Sequence, residues 1–245
     1  MSARATGATA LRVLLQLRHD PRTIALLIVV PSLLLTLLRY AFEGQPETFD
    51  RIGGPLVGLF PLITMFLVTS ITMLRERTTG TLERLMTLPL AKLDLLLGYG
   101  LAFSLVAAVQ AGVVSLVSFG LLGLDVAGST LAVALLAIAN ALLGMSLGLF
   151  ASAFATTEFQ AVQFMPAFIF PQLLLCGLFV ARDQMAPVLE AASYALPMTY
   201  AYDALERVSV DGSLGTAGAV DVAVTLGVTL LALALGAATL RRRTP

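Results

Sequence analysis

The sequence predicts an all-α integral membrane protein with six transmembrane helices and both termini on the cytoplasmic side. Three observations carry that expectation. Hydrophobic residues make up 58% of the 245 and charged residues 12%, with a mean hydropathy of +0.92, whereas an ordinary soluble domain carries about 25% charged residues. Several runs reach the ~20 apolar residues a helix needs to cross the hydrocarbon. They are apolar on all sides instead of alternating, which excludes a transmembrane barrel. With the N-terminus inside, eleven of the fifteen Lys and Arg residues fall on the cytoplasmic side and four outside, as the positive-inside rule requires. The chain, residues 1–245, reads as one transmembrane domain.

Residues 1–22 carry Arg4, Arg12, Arg18 and Arg22. Residues 10–17 fit an amphipathic piece lying along the membrane before Pro21 redirects the chain. A signal peptide is the competing reading, but residues 23–38 outrun the usual apolar region of about 7–15 residues, and no small-residue cleavage site precedes the acidic segment. Span one is expected at 23–42 and span two at 52–74, joined by a short acidic loop. Span three, 93–123, turns at Asp125 into span four, 126–154. Gly144 and Gly148 in span four, with Asn140 one turn before, have small-xxx-small spacing, which suits close helix packing inside the chain or a dimer face. Thr156, Thr157 and Glu158 link to span five, 159–180, and span six is expected at 219–240 ahead of three arginines, residues 241–243. Between spans five and six, residues 181–218 are too apolar for a free loop and too broken for a span. Residues 185–196 and 199–208 fit short helices separated by Pro197, and partial re-entry into the outer leaflet is the expectation.

Residues 75–92 form a charged insert between spans two and three. A helix opening near Thr79–Thr81 places Leu82, Leu85, Met86 and Pro89 on one face, with Glu83, Arg84 and Thr87 opposite. Glu83 in its first turn suits the positive end of the helix dipole, and Pro89 stops the helix. The physical reading is a short amphipathic helix at the cytoplasmic membrane surface, either a platform for a partner or a connector without one.

Several chemistries are excluded by the residues present. Cys176 is the only cysteine, so no intramolecular disulfide forms. His19, the only histidine, precedes span one, which removes histidine-based metal or triad chemistry inside the membrane. Lys92 is the only lysine and Pro-Leu-Ala precedes it, so there is no phosphate-binding GxxxxGK[ST] loop. Ionisable groups deep in the spans are few: Arg39, Asp94, Glu158 and Asp221 sit near span ends, where interface solvation makes them cheap. Gln110, Asn140, Gln160, Gln163 and Gln172 reach further in, with Phe164, Phe168 and Phe170. Gln160, Gln163 and Phe164 share one face of span five, beside kinks expected at Pro166 and Pro171. These amides either line a substrate path or bond neighbouring helices.

The string Arg75-Glu76-Arg77-x-x-Gly80-Thr81-Leu82-Glu83-Arg84-Leu85, followed by Pro89-Leu90 and a new span, resembles the coupling segment of ABC-2 type transporter permeases, and most of all the daunorubicin-resistance-like drug exporters. Residues 19–23 resemble the family's approach to span one, residues 157–166 its start of span five, and Leu196-Pro197-x-Thr199-Tyr200-x-x-Asp203-Ala204 its segment before span six. The resemblance covers essentially the whole chain. It implies a permease subunit in a bacterial plasma membrane, paired with a separate ABC ATPase that carries the ATP and Mg, and with a second permease copy as a homodimer or heterodimer. Arg75, Glu76, Gly80, Thr81, Leu82, Glu83, Arg84, Leu85 and Met86 would couple to the ATPase. Gln160, Gln163, Phe164 and Phe168 would line the path of a hydrophobic or amphipathic compound leaving the cell. No cofactor, metal or nucleic acid is expected on this chain.

Two other classes compete. An ion-coupled secondary transporter, independent of any ATPase, wants carboxylates or broken helices at mid-membrane, and here the acids sit at the ends. An intramembrane hydrolase needs a nucleophile-base pair that one peripheral His and one Cys do not assemble.

Overall fold

The computed structural model describes residues 2–81 and 92–239. Nine α-helices are described there: α1 Ala3–Arg18, α2 Pro21–Ala41, α3 Pro46–Thr78, α4 Lys92–Leu116, α5 Thr130–Ala151, α6 Glu158–Leu175, α7 Pro187–Ser193, α8 Pro197–Ser209 and α9 Gly215–Thr239. No strand occurs among the described residues. Five helices are long and apolar enough to cross a membrane: α2, α3, α4 (over Leu97–Leu121, where a wide turn extends it), α5 and α9 (over Gly215–Gly236). The chain is a multi-pass membrane protein. The stretch expected as span five holds α6, 18 residues with three glutamines and two prolines, and it is not among the five.

Local chemistry sets the helix boundaries. Asp20 caps α2 by accepting from the Thr23 amide (3.2 Å) and hydroxyl (2.7 Å), with Pro21 in the first turn. Pro46 likewise opens α3, and nothing breaks that helix until Gly80, whose φ of +69° is left-handed. The helix therefore continues four residues past 74, where span two is expected to end. Its 33 residues extend about 50 Å, well beyond the ~30 Å hydrocarbon core. Arg75 and Glu76 thus belong to the last turn of α3, ahead of the surface helix expected to open near Thr79–Thr81. Leu82, Glu83, Arg84, Leu85, Met86 and Pro89, on which the amphipathic reading of the insert rests, lie outside the described residues.

The centre of the molecule is the packing of α3 on α5. A Cβ on Gly144 would stand 2.0 Å from the Leu62 carbonyl oxygen, and one on Gly148 would stand 2.3 Å from that of Phe66. The small residues thus serve close approach within the chain. Around this pair Leu59, Leu62, Phe66, Val133, Ala137 and Leu143 are fully buried. Asn140 donates to the Ala201 carbonyl (3.2 Å) and fastens α8 to α5.

The segment between α6 and α9 holds two short helices, as expected, with shifted ends. After a tight bend at Gly177 (φ +109°) and a single 3-10 turn, Arg182–Gln184, it forms α7 and α8. Pro197 starts α8 instead of merely separating two helices. One face of α8, with Met198, Ala201, Leu205 and Val208, is buried in the main core against α3, α5 and α9. At the other end of the chain α1 begins at Ala3, earlier than the amphipathic piece expected at 10–17. It lies along α4, where Gly98 leaves room for Thr9.

Candidate functional site

The root of the 75–92 segment is a polar junction of three helices. Glu76, with 2% of its side chain exposed, accepts from Arg12 Nη1 and Nη2 of α1 (3.3 Å each) and from the Tyr99 hydroxyl of α4 (2.8 Å). The Arg12 guanidinium also hydrogen-bonds the Tyr99 hydroxyl and lies 5.5 Å from its ring centre. The carboxylate is therefore satisfied on both oxygens and neutralised, which burial of a charge demands. Next to it Arg75 turns outward. It pairs in fork geometry with Glu158 at the start of α6 (2.7 and 2.9 Å), and its Nη1 lies 3.7 Å from Asp20. The Thr23 hydrogen bonds hold the Asp20 carboxyl below the usual carboxylate range. Five helices, α1 to α4 and α6, thus meet at the residues just before the insert. Gly80 takes a left-handed φ directly after the helix, and the Thr79 and Thr81 hydroxyls are 3.0 Å apart.

The face expected along α6 is divided. Gln160 accepts from the Thr156 amide (2.9 Å) and hydroxyl (2.7 Å), while Thr157 accepts from the Gln160 amide (3.2 Å). This is helix capping of the Thr-x-x-Gln kind, and it occupies the Gln160 carbonyl at the helix start. Gln163 is exposed. Phe164 packs toward Leu74 and Ala161, and Phe168 stacks on Phe66 of α3, with ring centres 6.4 Å apart, while remaining 49% exposed. Gln172 is buried and bridges helices, donating to the Phe168 carbonyl (2.9 Å) and accepting from the Met198 amide (3.4 Å). So α6 presents Gln163 and part of Phe168 outward, and spends Gln160 and Gln172 on structure.

A second polar region lies at the far end of α3. A cleft of about 700 Å³ is walled by Glu47 and Arg51 of α3, the bend after α6, and Tyr202 and Glu206 of α8. Arg182 pairs with the buried Asp203 (2.7 Å) and lies 5.3 Å from the Tyr194 ring centre. Burial raises the Asp203 carboxyl to about 6, and Arg182 offsets only part of that shift. Arg207 pairs with Asp221 (3.1 Å), tying α8 to α9.

Sequence reasoning passed over Arg12 and Tyr99 as partners of Glu76, and Glu158 as the partner of Arg75. The signal for the second pair was available: once the topology puts the end of span two and the start of span five on one membrane face, opposite charges at those ends are candidates to meet.

A profile of the ABC-2 type transporter family matches residues 4–208. The probable multidrug ABC transporter permease YbhS of Escherichia coli (strain K12) is 25% identical over 177 residues, 72% of this chain and 47% of that protein. The probable multidrug ABC transporter permease YbhR of the same organism is 28% identical over 163 residues, 65% of this chain and 44% of that one. The linearmycin resistance permease protein LnrN of Bacillus subtilis (strain 168) is 25% identical over 187 residues, 76% and 48% respectively. The chain spans less than half the length of these relatives. The family match runs from the first turn of α1 to the last turn of α8 and takes in the junction at Glu76, the α3–α5 core and the α6 face: the chain belongs to the ABC-2 type transporter family.

Proposed function

We propose that the chain is the permease subunit of an ATP-driven exporter that moves a hydrophobic or amphipathic compound, drug-like or lipid-like, out of a bacterial cell through the plasma membrane. The observation that carries this reading is the family match over residues 4–208 on a chain without a phosphate-binding loop. The names of the similar permeases, two multidrug and one linearmycin resistance, support export of such compounds. ATP and Mg then belong to a partner ABC ATPase, and two permease copies enclose the path.

In this reading α6 is the fifth of six spans and both termini are cytoplasmic. Residues 75–92 dock on the ATPase, with Leu82, Leu85 and Met86 as apolar anchors and Glu83 and Arg84 at the rim. Gly80 and Thr81 set the turn into that helix, Arg75 and Glu76 fix its root, and a push on it tilts α3 and α4 together. Gln163 and Phe168, with Phe164 behind them and Gln160 at the helix start, form the side of α6 that faces the path.

The test is to solubilise the chain from its native membrane in mild detergent and identify what co-purifies by mass spectrometry. An ABC ATPase that co-purifies with the native chain and is lost when Leu82 and Leu85 are both changed to Asp is the expected result. A chain that purifies without any ATPase, or keeps it in the double variant, defeats the docking role.

A further inference from the structure

Gln110, on the wall of α4, is 1% exposed and only half satisfied. Its Nε2 donates to the Thr64 hydroxyl. That hydroxyl donates onward to the Phe60 carbonyl (3.0 Å), so it must accept from the amide, and Oε1 is the atom left over. Among the described residues Oε1 has no donor. Leaving such an acceptor unmatched is unfavourable. The same residue lines a cleft of about 230 Å³ between α1, α2 and α4, together with Leu17, Ile28, Leu105 and Val109. Leu105 and Val109 are each 53% exposed and belong to a membrane-crossing helix, so the cleft opens sideways toward lipid. Arg18 is the one charged residue among its described lining. Sites that enclose a whole drug-sized ligand measure about 300–1,000 Å³; this smaller cleft takes one limb of a larger molecule.

We propose that the cleft is a lateral binding site for an amphiphile of the bilayer, whose apolar limb lies between α1, α2 and α4 and whose hydroxyl or amide N–H donates to Gln110 Oε1. Arg18 at the rim selects a neutral or acidic molecule over a cationic one, by ordinary charge complementarity. The donor completes the amide's hydrogen bonding, and the limb covers apolar side chains that none of the described helices covers. The site does not depend on an ATPase partner. Its placement in the inner leaflet, on the side of Arg18 and the start of α2, rests on the orientation proposed above.

Photolabelling of the purified chain in nanodiscs tests this with three matched probes: a diazirine-bearing hexadecanol, its methyl ether, and the corresponding alkyl trimethylammonium. The alcohol is expected to label the α4 segment around Leu105 and Val109 several-fold more than the ether, and the ammonium probe least. Gln110→Leu should bring the alcohol down to the ether's level. Ile28→Trp, which fills the cleft without touching the amide, should lower labelling by both. Equal labelling of the native chain by alcohol and ether overturns the proposal, as does an alcohol preference that survives Gln110→Leu. Should that variant unfold, Ile28→Trp decides: alcohol labelling at the native level in that variant overturns the site.

Discussion

A carboxylate with 2% of its side chain exposed, held by Arg12 and Tyr99, becomes costly once its partners change. Breaking a buried pair by removing one member typically costs ~3–5 kcal/mol. Arg12 keeps 31% of its side chain exposed and can be partly rehydrated, so Glu76→Ala should destabilise the chain by about 3 kcal/mol, the low end of that range, as read by thermal melting in detergent. At Gly144 the constraint is steric. A Cβ 2.0 Å from the Leu62 carbonyl oxygen meets backbone, which does not yield as a side-chain tip does, so Gly144→Ala should exceed the ~1–3 kcal/mol of ordinary overpacking and cost the protein its monodisperse elution. Gly112, with nothing within 4 Å of its added Cβ, is the control: Gly112→Ala should be neutral, or stabilising by up to ~1 kcal/mol through helix propensity. Asp203 carries the pH dependence. Its folded value of about 6 lies above the ordinary 3.8, so between those values the native state holds a proton that the unfolded state has lost. Stability contributed by this group is therefore present below pH ~4, falls as pH rises to about 6, and is flat above. Melting temperatures of the native chain and Asp203→Asn, compared from pH 4 to 7, should differ in slope across that window and run parallel above it.

Elements are held at their ends by contacts of unequal worth. Arg75 and Glu158 have 50% and 52% of their side chains exposed, and exposed pairs contribute ~0–1 kcal/mol. Arg75→Ala should thus leave the melting temperature nearly unchanged, in contrast to Glu76→Ala one residue away; a loss as large as that of Glu76 would mean that the α3–α6 pair is more desolvated than its exposure indicates. The sequence resolves the elements unevenly for the same physical reasons. Apolar runs announce α2, α3, α4, α5 and α9, because hydrophobicity over ~20 residues is what a bilayer selects. The far end of α3 outruns the expected span, since charge at Arg75 suits the end of a span while helix propagation needs no apolar residue and continues to Thr78. Periodicity puts Gln160 on one face with Gln163 and Phe164, but does not show that a threonine four residues earlier will claim its carbonyl. The Glu76 junction is absent from any local pattern: Arg12 and Tyr99 are remote in sequence and meet only when α1 is laid along α4.

For the whole molecule the deciding quantity is whether α6 crosses. Five apolar helices alone would leave residues 2–20 and the end of α9 on opposite faces of the membrane; six return them to the same face. Both ends of α6 are fixed relative to α3. Glu158 at its start is paired with Arg75 in the last turn of α3, Phe168 stacks on Phe66 midway, and the bend from Gly177 to Asp183 shares a cleft with Glu47 and Arg51 in the first turns of α3. Its 18 residues rise about 27 Å, close to the ~30 Å hydrocarbon thickness, and they run antiparallel to a helix that traverses it. The glutamines that lower its hydropathy are accommodated at the ends, by capping at Gln160 and bridging at Gln172, while Gln163 between them stays exposed. Single cysteines placed at Ser2, Val188 and Thr239 in a Cys176→Ser background and labelled in intact cells with a membrane-impermeant maleimide test this directly. Val188 should react from outside, and Ser2 and Thr239 only after permeabilisation. Reaction of Thr239 without permeabilisation, with Ser2 still protected, would mean that α6 turns back within the membrane and that the chain crosses five times.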